Sequence, residues 1–183
     1  MRHSMTQIQS VNIVCIINTI NLLSLGQNAI NLTGSQSHSM KKIVIATGGF
    51  DPIHSGHIAY LNEAKKLGDF LIVGLNSDDW LQRKKGKSLL SFNERFCILS
   101  HLKMVDFVIN FDDSDNSAKN AIEKVRSTHL NEKIIFANGG DRTSENIPEM
   151  SLNDNNLEFI FGVGGNFKMN SSSWILNKWN EKP

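Results

Sequence analysis

The sequence predicts an α/β fold, a doubly wound parallel sheet of five strands, and three observations carry that prediction. Short, nearly unbroken apolar runs recur between residues 42 and 163, as strands buried on both faces require. Stretches with helical spacing of apolar positions separate most of them, the alternation that lays crossover helices over a parallel sheet. A glycine turn, Thr47-Gly48-Gly49, follows the first run directly and precedes a helix start. Sheets of this kind bind ligands beyond the carboxyl ends of their strands, where that turn would lie.

The elements follow in order. Residues 42–47 form the first predicted strand and 56–67 the first helix, with Gly68 as its C′ residue. Residues 70–76 (FLIVGLN) form the second strand. Ser91 and Glu94 have capping-box spacing and open a helix running to about residue 103. A strand at 105–110, a helix at 116–128, and strands at 133–137 and 157–163 complete the sheet. A last helix begins near 171–173. Cys97 falls within the helical pattern and reads as a small core residue.

The chain has 183 residues, enough to bury a sizeable core, with 40% hydrophobic and 20% charged residues. A formal net charge of +1 provides no broad field for a polyanion, so nucleic acid is not expected as a partner. Cys15 and Cys97 have no metal-ligand spacing, and nothing demands an oxidising compartment. Residues 1–39 stand apart, because Arg2 is their one charged side chain. Asn12, Asn18 and Asn21 interrupt their apolar stretch, which is too short and too polar to span a membrane. They read as an unstructured extension or the product of a start codon set too far upstream, and residues 40–183 as one domain. A cytoplasmic location without membrane association is expected.

The strongest segment is residues 48–57, GGFDPIHSGH. Gly48 and Gly49 remove side chains where backbone can approach an anion, and Gly56 does so at the helix start. His54 and His57 can donate hydrogen bonds to phosphate oxygens as charge builds on them. The plain alternative is a pair of loop histidines beside a helix cap. Ser171, Ser172 and Ser173 repeat the theme, offering hydroxyls and backbone donors at another helix start, with Lys168 just before them. Serines also cap helices for purely structural reasons. The run Arg83-Lys84-Lys85-Gly86-Lys87, placed in a loop after the second strand, is either a solvated face or a source of charge for the same site.

The segment 48–57 resembles the HxGH motif of the cytidylyltransferase-like nucleotidyltransferase superfamily, and the resemblance extends from about residue 41 to 179. Within it, LNEAKKLGD (61–69) and VGLNSDDW (73–80) are similar to adenylyltransferases of heptose 1-phosphate and to glycerol-3-phosphate cytidylyltransferase. The resemblance implies a Rossmann-like fold in a single domain. It also implies transfer of a nucleoside monophosphate from ATP or CTP to a phosphorylated sugar or polyol, with pyrophosphate released. Mg²⁺ is the implied cofactor, with no metal ligand directly assignable, and relatives of this type imply a homodimer.

Roles follow from the same resemblance. His54 and His57 are the expected catalytic pair, with Lys168 and a lysine from Lys84, Lys85 and Lys87 supplying charge. Gly48, Gly49, Phe50, Asp51 and Gly56 are expected at the nucleotide, as are Ser171, Ser172 and Ser173. The turn after the fourth strand adds Gly139, Gly140, Asp141 and Arg142. There the glycines admit a base or ribose, Asp141 bonds the nucleoside or holds Mg²⁺ through water, and Arg142 forks onto a phosphate. Arg95 and Arg142 are expected at the acceptor, and residues 142–149 (RTSENIPE) bear on its choice. One departure stands out: the family's serine motif ends in arginine, whereas this chain has Leu176. That motivates an alternative, a nucleotide-binding relative with weak or no turnover. A cofactor-synthesis adenylyltransferase is the other alternative, although Phe50 after Gly49 looks more like the sugar and polyol enzymes.

Overall fold

Alternate residues of the first strand divide the molecule into two layers around its sheet. In the computed structural model, which describes residues 40–165 and 171–180, β1 spans Lys42–Gly48. Val44 and Ala46 enter one core and Ile43 and Ile45 the other, all buried. On the first face they meet Leu61 and Ala64 of α1 (Ser55–Lys65), after which the chain forms β2 (Phe70–Leu75) and α2 (Asp78–Lys85). Phe96 and Leu99 of α3 (Phe92–Ser100) complete that layer, followed by β3 (Phe107–Asn110). On the second face lie Ala121, Ile122 and Val125 of α4 (Lys119–Thr128). The chain then runs through β4 (Lys133–Ala137), a 3₁₀ turn (Pro148–Ser151), β5 (Leu157–Ile160) and α5 (Ser172–Asn180).

All four strand pairings are parallel, in the order β3-β2-β1-β4-β5. Ile43 is paired with Phe70 on one side and with Ile134 on the other. The chain builds outward from β1 through β2 to β3, then returns to the other edge of β1 with β4. The loops after β1 and β4 therefore part from each other, leaving a crevice at the carboxyl edge. The five-stranded, doubly wound sheet is the one the sequence predicts.

Several local expectations need correction. Residues 83–85 belong to a helix, not a loop. Ser77 caps α2 by accepting the Trp80 N–H at 3.0 Å, Asp78 and Asp79 fill its first turn, and Gly86 closes it at φ 80°. Arg83, Lys84 and Lys85 thus complement the negative end of the helix. Because Leu81 is its one buried residue, α2 has almost no apolar periodicity to betray it.

Gly68 is not a left-handed cap, since α1 ends on Lys66 in a right-handed conformation. A Cβ on Gly68 would lie 2.7 Å from the Lys42 carbonyl oxygen, so close approach to the sheet demands glycine there. Asp106 stays outside β3 because its carboxylate accepts the Leu71 N–H and the Lys65 ammonium, both at 2.6 Å. Gly162, at φ 71°, follows soon after β5 ends at Ile160. Cys97 is exposed, because α3 buries the face formed by Arg95, Phe96 and Leu99. The expectations for residues 1–39 lie outside the described residues.

Arg95 is 1% exposed and acts as a tie beneath the carboxyl edge. Its guanidinium donates to the carbonyls of Gly49 at 2.8 Å, Asn76 at 2.9 Å and Leu90 at 3.1 Å. It also donates to the Asp78 carboxylate at 2.6 Å. The loops after β1 and β2, the start of α2 and the entry to α3 meet on one side chain. Its removal leaves buried carbonyls without donors, at about 1–3 kcal/mol each. Arg95→Met is therefore expected to destabilise the fold by about 3–5 kcal/mol in urea denaturation.

Candidate active site

A cavity of about 670 Å³ opens at the carboxyl ends of β1 and β4, and HSGH lies against it. His54 is the N-cap of α1, with extended backbone (φ −150°, ψ 173°), and its Nδ1 accepts the Gly56 N–H at 3.1 Å. A ring nitrogen that accepts carries no hydrogen, so the neutral ring has its proton on Nε2. His57, one turn along, stacks on His54 with ring centroids 3.8 Å apart and a 24° tilt. Phe50 meets the His57 ring edge-on at 5.0 Å.

Burial lowers the His57 pKa to about 3, helped by the charges of His54 and Lys85. The ring is thus neutral near pH 7. Its Nδ1 is buried and, among the described residues, has no hydrogen-bond partner.

The cations gather from other elements. Lys84 and Lys85 reach the cavity from the last turn of α2, and Arg142 from the loop after β4. Burial lowers the pKa of both lysines; Arg142 lowers Lys84 further and Asp141 offsets part of it. The Lys84 ammonium lies 4.5 Å from the centre of the Trp80 ring, and Lys85 donates to the Asp51 carbonyl at 2.9 Å. Among the described residues, Asp141 is the one carboxylate in the lining. Crowded, partly desolvated positive groups facing a single acid suit a polyanion.

Gly48, Phe50, Gly56, Gly139, Gly140, Asp141 and Arg142 line this cavity, as do Ser171, Ser172 and Ser173. The Ser172 hydroxyl donates to the Pro52 carbonyl at 3.0 Å, which joins the start of α5 to the histidine loop. Ser171 accepts the Trp174 N–H at 3.2 Å and so caps the helix as well. Lys168 lies outside the described residues.

Gly49, Asp51 and Arg95 are absent from the lining. Gly49 packs on α2, where a Cβ would meet Leu81 Cδ2 at 2.8 Å. The Asp51 carboxylate accepts the N–H groups of Leu89 at 2.7 Å and Leu90 at 2.9 Å, so it anchors the 89–90 loop. Arg95 is the tie described above. The acceptor role expected of it is replaced by a positioning one, since its donors are turned to backbone and Asp78. Lys87 is not in the lining either, so Lys84 and Lys85 remain from that run.

Tyr60 was not among the sequence candidates, yet it organises the far wall. Its hydroxyl donates to the Ala137 carbonyl at 2.7 Å, linking α1 to the end of β4, and burial pushes its pKa upward. Gly164, at φ 88°, passes so close that a Cβ would lie 2.8 Å from Tyr60 Cα. The glycines of the run GVGG at 162–165 were the available signal.

Residues 45–157 match the family model described as Cytidylyltransferase-like, and the chain belongs to that family. The chain is 35% identical to a Bifunctional protein HldE of Syntrophotalea carbinolica, over 77% of this chain and 28% of that protein. It is 53% identical to a Bifunctional protein HldE of Campylobacter jejuni over 40% of this chain and 16% of that one. The match thus spans less than a third of these relatives' length. A bifunctional NMN adenylyltransferase/ADP ribose pyrophosphatase from Francisella tularensis, solved with AMP and a manganese ion, shares the fold. The TM-score is 0.53 at 17% identity, covering 76% of this chain and 42% of that one. Among the described residues, no helix is long and apolar enough to cross a membrane.

Among the described residues, no group of three His, Cys, Asp or Glu could cage a metal. Asp141 alone fits Mg²⁺ carried in on a triphosphate, which needs few protein ligands beside phosphate oxygens and water.

The neutral state of His57 gives a pH test. Below pH 6.5 the unfolded chain protonates this ring, whereas the folded chain resists protonation down to about 3. Stability is therefore expected to fall as pH drops through that window. His57 adds a slope of up to about 1.4 kcal/mol per pH unit. Urea denaturation from pH 7.5 to 4.5 should show a shallower slope in His57→Gln than in the parent.

Proposed function

We propose that the chain transfers a nucleoside monophosphate from a nucleoside triphosphate to a phosphorylated sugar or polyol. ATP is the favoured donor, supported by the likeness to heptose 1-phosphate adenylyltransferases and to the HldE relatives. The observation that carries the reading is the stacked His54–His57 pair facing a cavity that also receives Lys84, Lys85 and Arg142.

An oxygen of the acceptor phosphate attacks the α-phosphorus, and a new P–O bond forms there. The bond from the α-phosphorus to the oxygen bridging it to the β-phosphate breaks, and pyrophosphate leaves with that electron pair. The acceptor phosphate is already anionic, so no side chain has to become a nucleophile or remove its proton. His54 donates from Nε2, and the neutral His57 ring donates from its protonated nitrogen, to oxygens whose charge grows in the transition state. Lys84, Lys85 and Arg142 balance the charge of the reacting phosphates. Gly48, Gly139 and Gly140 keep the cavity floor free of side chains. Asp141 would hold a Mg²⁺ that arrives on the triphosphate, and the ion would supply further neutralisation of phosphate charge. The protein's main contribution is alignment of the two reactants.

A second reading, binding without turnover, rests on Leu176 standing where the family motif has arginine. Pyrophosphate release separates the two. ATP and CTP are each paired with hexose 1-phosphates, heptose 1-phosphate and glycerol 3-phosphate. At least one pair is expected to turn over. His57→Ala should lower that rate at least ~100-fold, the loss expected for one preorganised donor. Near-normal turnover in His57→Ala would remove the histidine assignment. Tight ATP binding with no pyrophosphate from any pair would favour the second reading.

A further inference from the structure

A second cavity, of about 540 Å³, adjoins the first and shares Lys84, Asp141 and Arg142 with it. Its own walls include Trp80 and Arg83 from α2 and Glu149 from the 3₁₀ turn. Glu149 is 1% exposed. One carboxylate oxygen, Oε1, accepts the Ala118 N–H; the other, Oε2, is buried and has no partner among the described residues. A buried carboxylate oxygen without a donor is costly, and proteins seldom leave one so.

The lining of this cavity carries charges of both signs. At the shared wall stand Lys84 and Arg142 with the single carboxylate of Asp141, and Arg83 also lines the cavity, held by the Asp113 carbonyl at 2.6 Å. Glu149, in the same lining, repels phosphate and suits a neutral hydrogen-bond donor. Trp80 adds an aromatic surface for a carbon skeleton. A ligand carrying both a phosphate and hydroxyls matches this lining.

We propose that the second cavity seats the alcohol part of the acceptor, a polyhydroxylated phosphate monoester. Its phosphate lies on Arg142 and Lys84 at the boundary with the nucleotide cavity, and a hydroxyl donates to Glu149 Oε2. This inference rests on the transferase reading above. It makes Glu149 an acceptor-selecting residue, distinct from the histidines that act at the α-phosphate. The RTSENIPE segment thus recognises the acceptor through its last residue.

The test measures pyrophosphate release with ATP, comparing hexose 1-phosphates and glycerol 3-phosphate with ethyl phosphate, which has no hydroxyl. The parent enzyme is expected to prefer a hydroxylated acceptor at least ~10-fold in kcat/KM. In Glu149→Gln the amide oxygen must keep the Ala118 N–H, which puts an NH₂ donor where Oε2 was. The KM for the preferred acceptor should then rise at least ~10-fold, while the ATP Kd measured without acceptor stays the same.

Equal use of ethyl phosphate by the parent overturns the inference without needing any variant to fold. An unchanged acceptor KM in Glu149→Gln overturns it too, and leaves Oε2 to a buried water. If the parent turns over no acceptor at all, the transferase reading itself fails and takes this inference with it.

Discussion

The guanidinium of Arg95 is the constraint on which the site's geometry depends. A parallel sheet ends in carbonyls and loops that have no strand neighbours to hold them, and here two such loops flank the ligand crevice. By donating to Gly49, Asn76 and Leu90 while pairing with Asp78, Arg95 fixes the exits of β1 and β2 together. It also fixes the start of α2, a helix with little apolar burial of its own. The lysines that face the cavity are carried at the other end of that helix. A charge buried below the site thereby positions charges within it.

The site itself is electrostatically incomplete. His57 is neutral because burial and neighbouring cations make its charged form unfavourable, and Lys84 and Lys85 feel the same pressure. Asp141 offsets little of it. A polyphosphate offsets the repulsion among these groups, which is a physical reason for it to favour this cavity. Lys84 and Lys85 stand on the last turn of a capped helix, so their backbone needs little reorganisation when a ligand arrives.

Much of this was legible in the sequence, for identifiable reasons. The fourth strand carries a continuous apolar run over 134–137, and glycine punctuation marks the turns after the first and fourth strands. The histidine pair and the GGDR turn were found because short-range spacing is written along the chain. What was missed depends on contacts between distant residues. Asp51 looked like a ligand residue until Leu89 and Leu90 claimed its oxygens. Arg95 is expected at the acceptor, and nothing local shows that three loop carbonyls converge on it. Tyr60 reads as an ordinary helical aromatic, because its partner Ala137 is 77 positions away. Cys97 went wrong for a related reason: on a short helix, the apolar pattern did not reveal which face would be buried.

The bond from Gly56 N–H to His54 Nδ1 couples secondary structure to chemistry in a particular way. No neighbouring acid is needed to choose the tautomer, because the first turn of α1 chooses it. Unwinding that turn would remove this bond, and with it the constraint that keeps the hydrogen off Nδ1. Donor orientation and helix initiation are thus a single cooperative event, and the ring is aimed by the time the helix has formed.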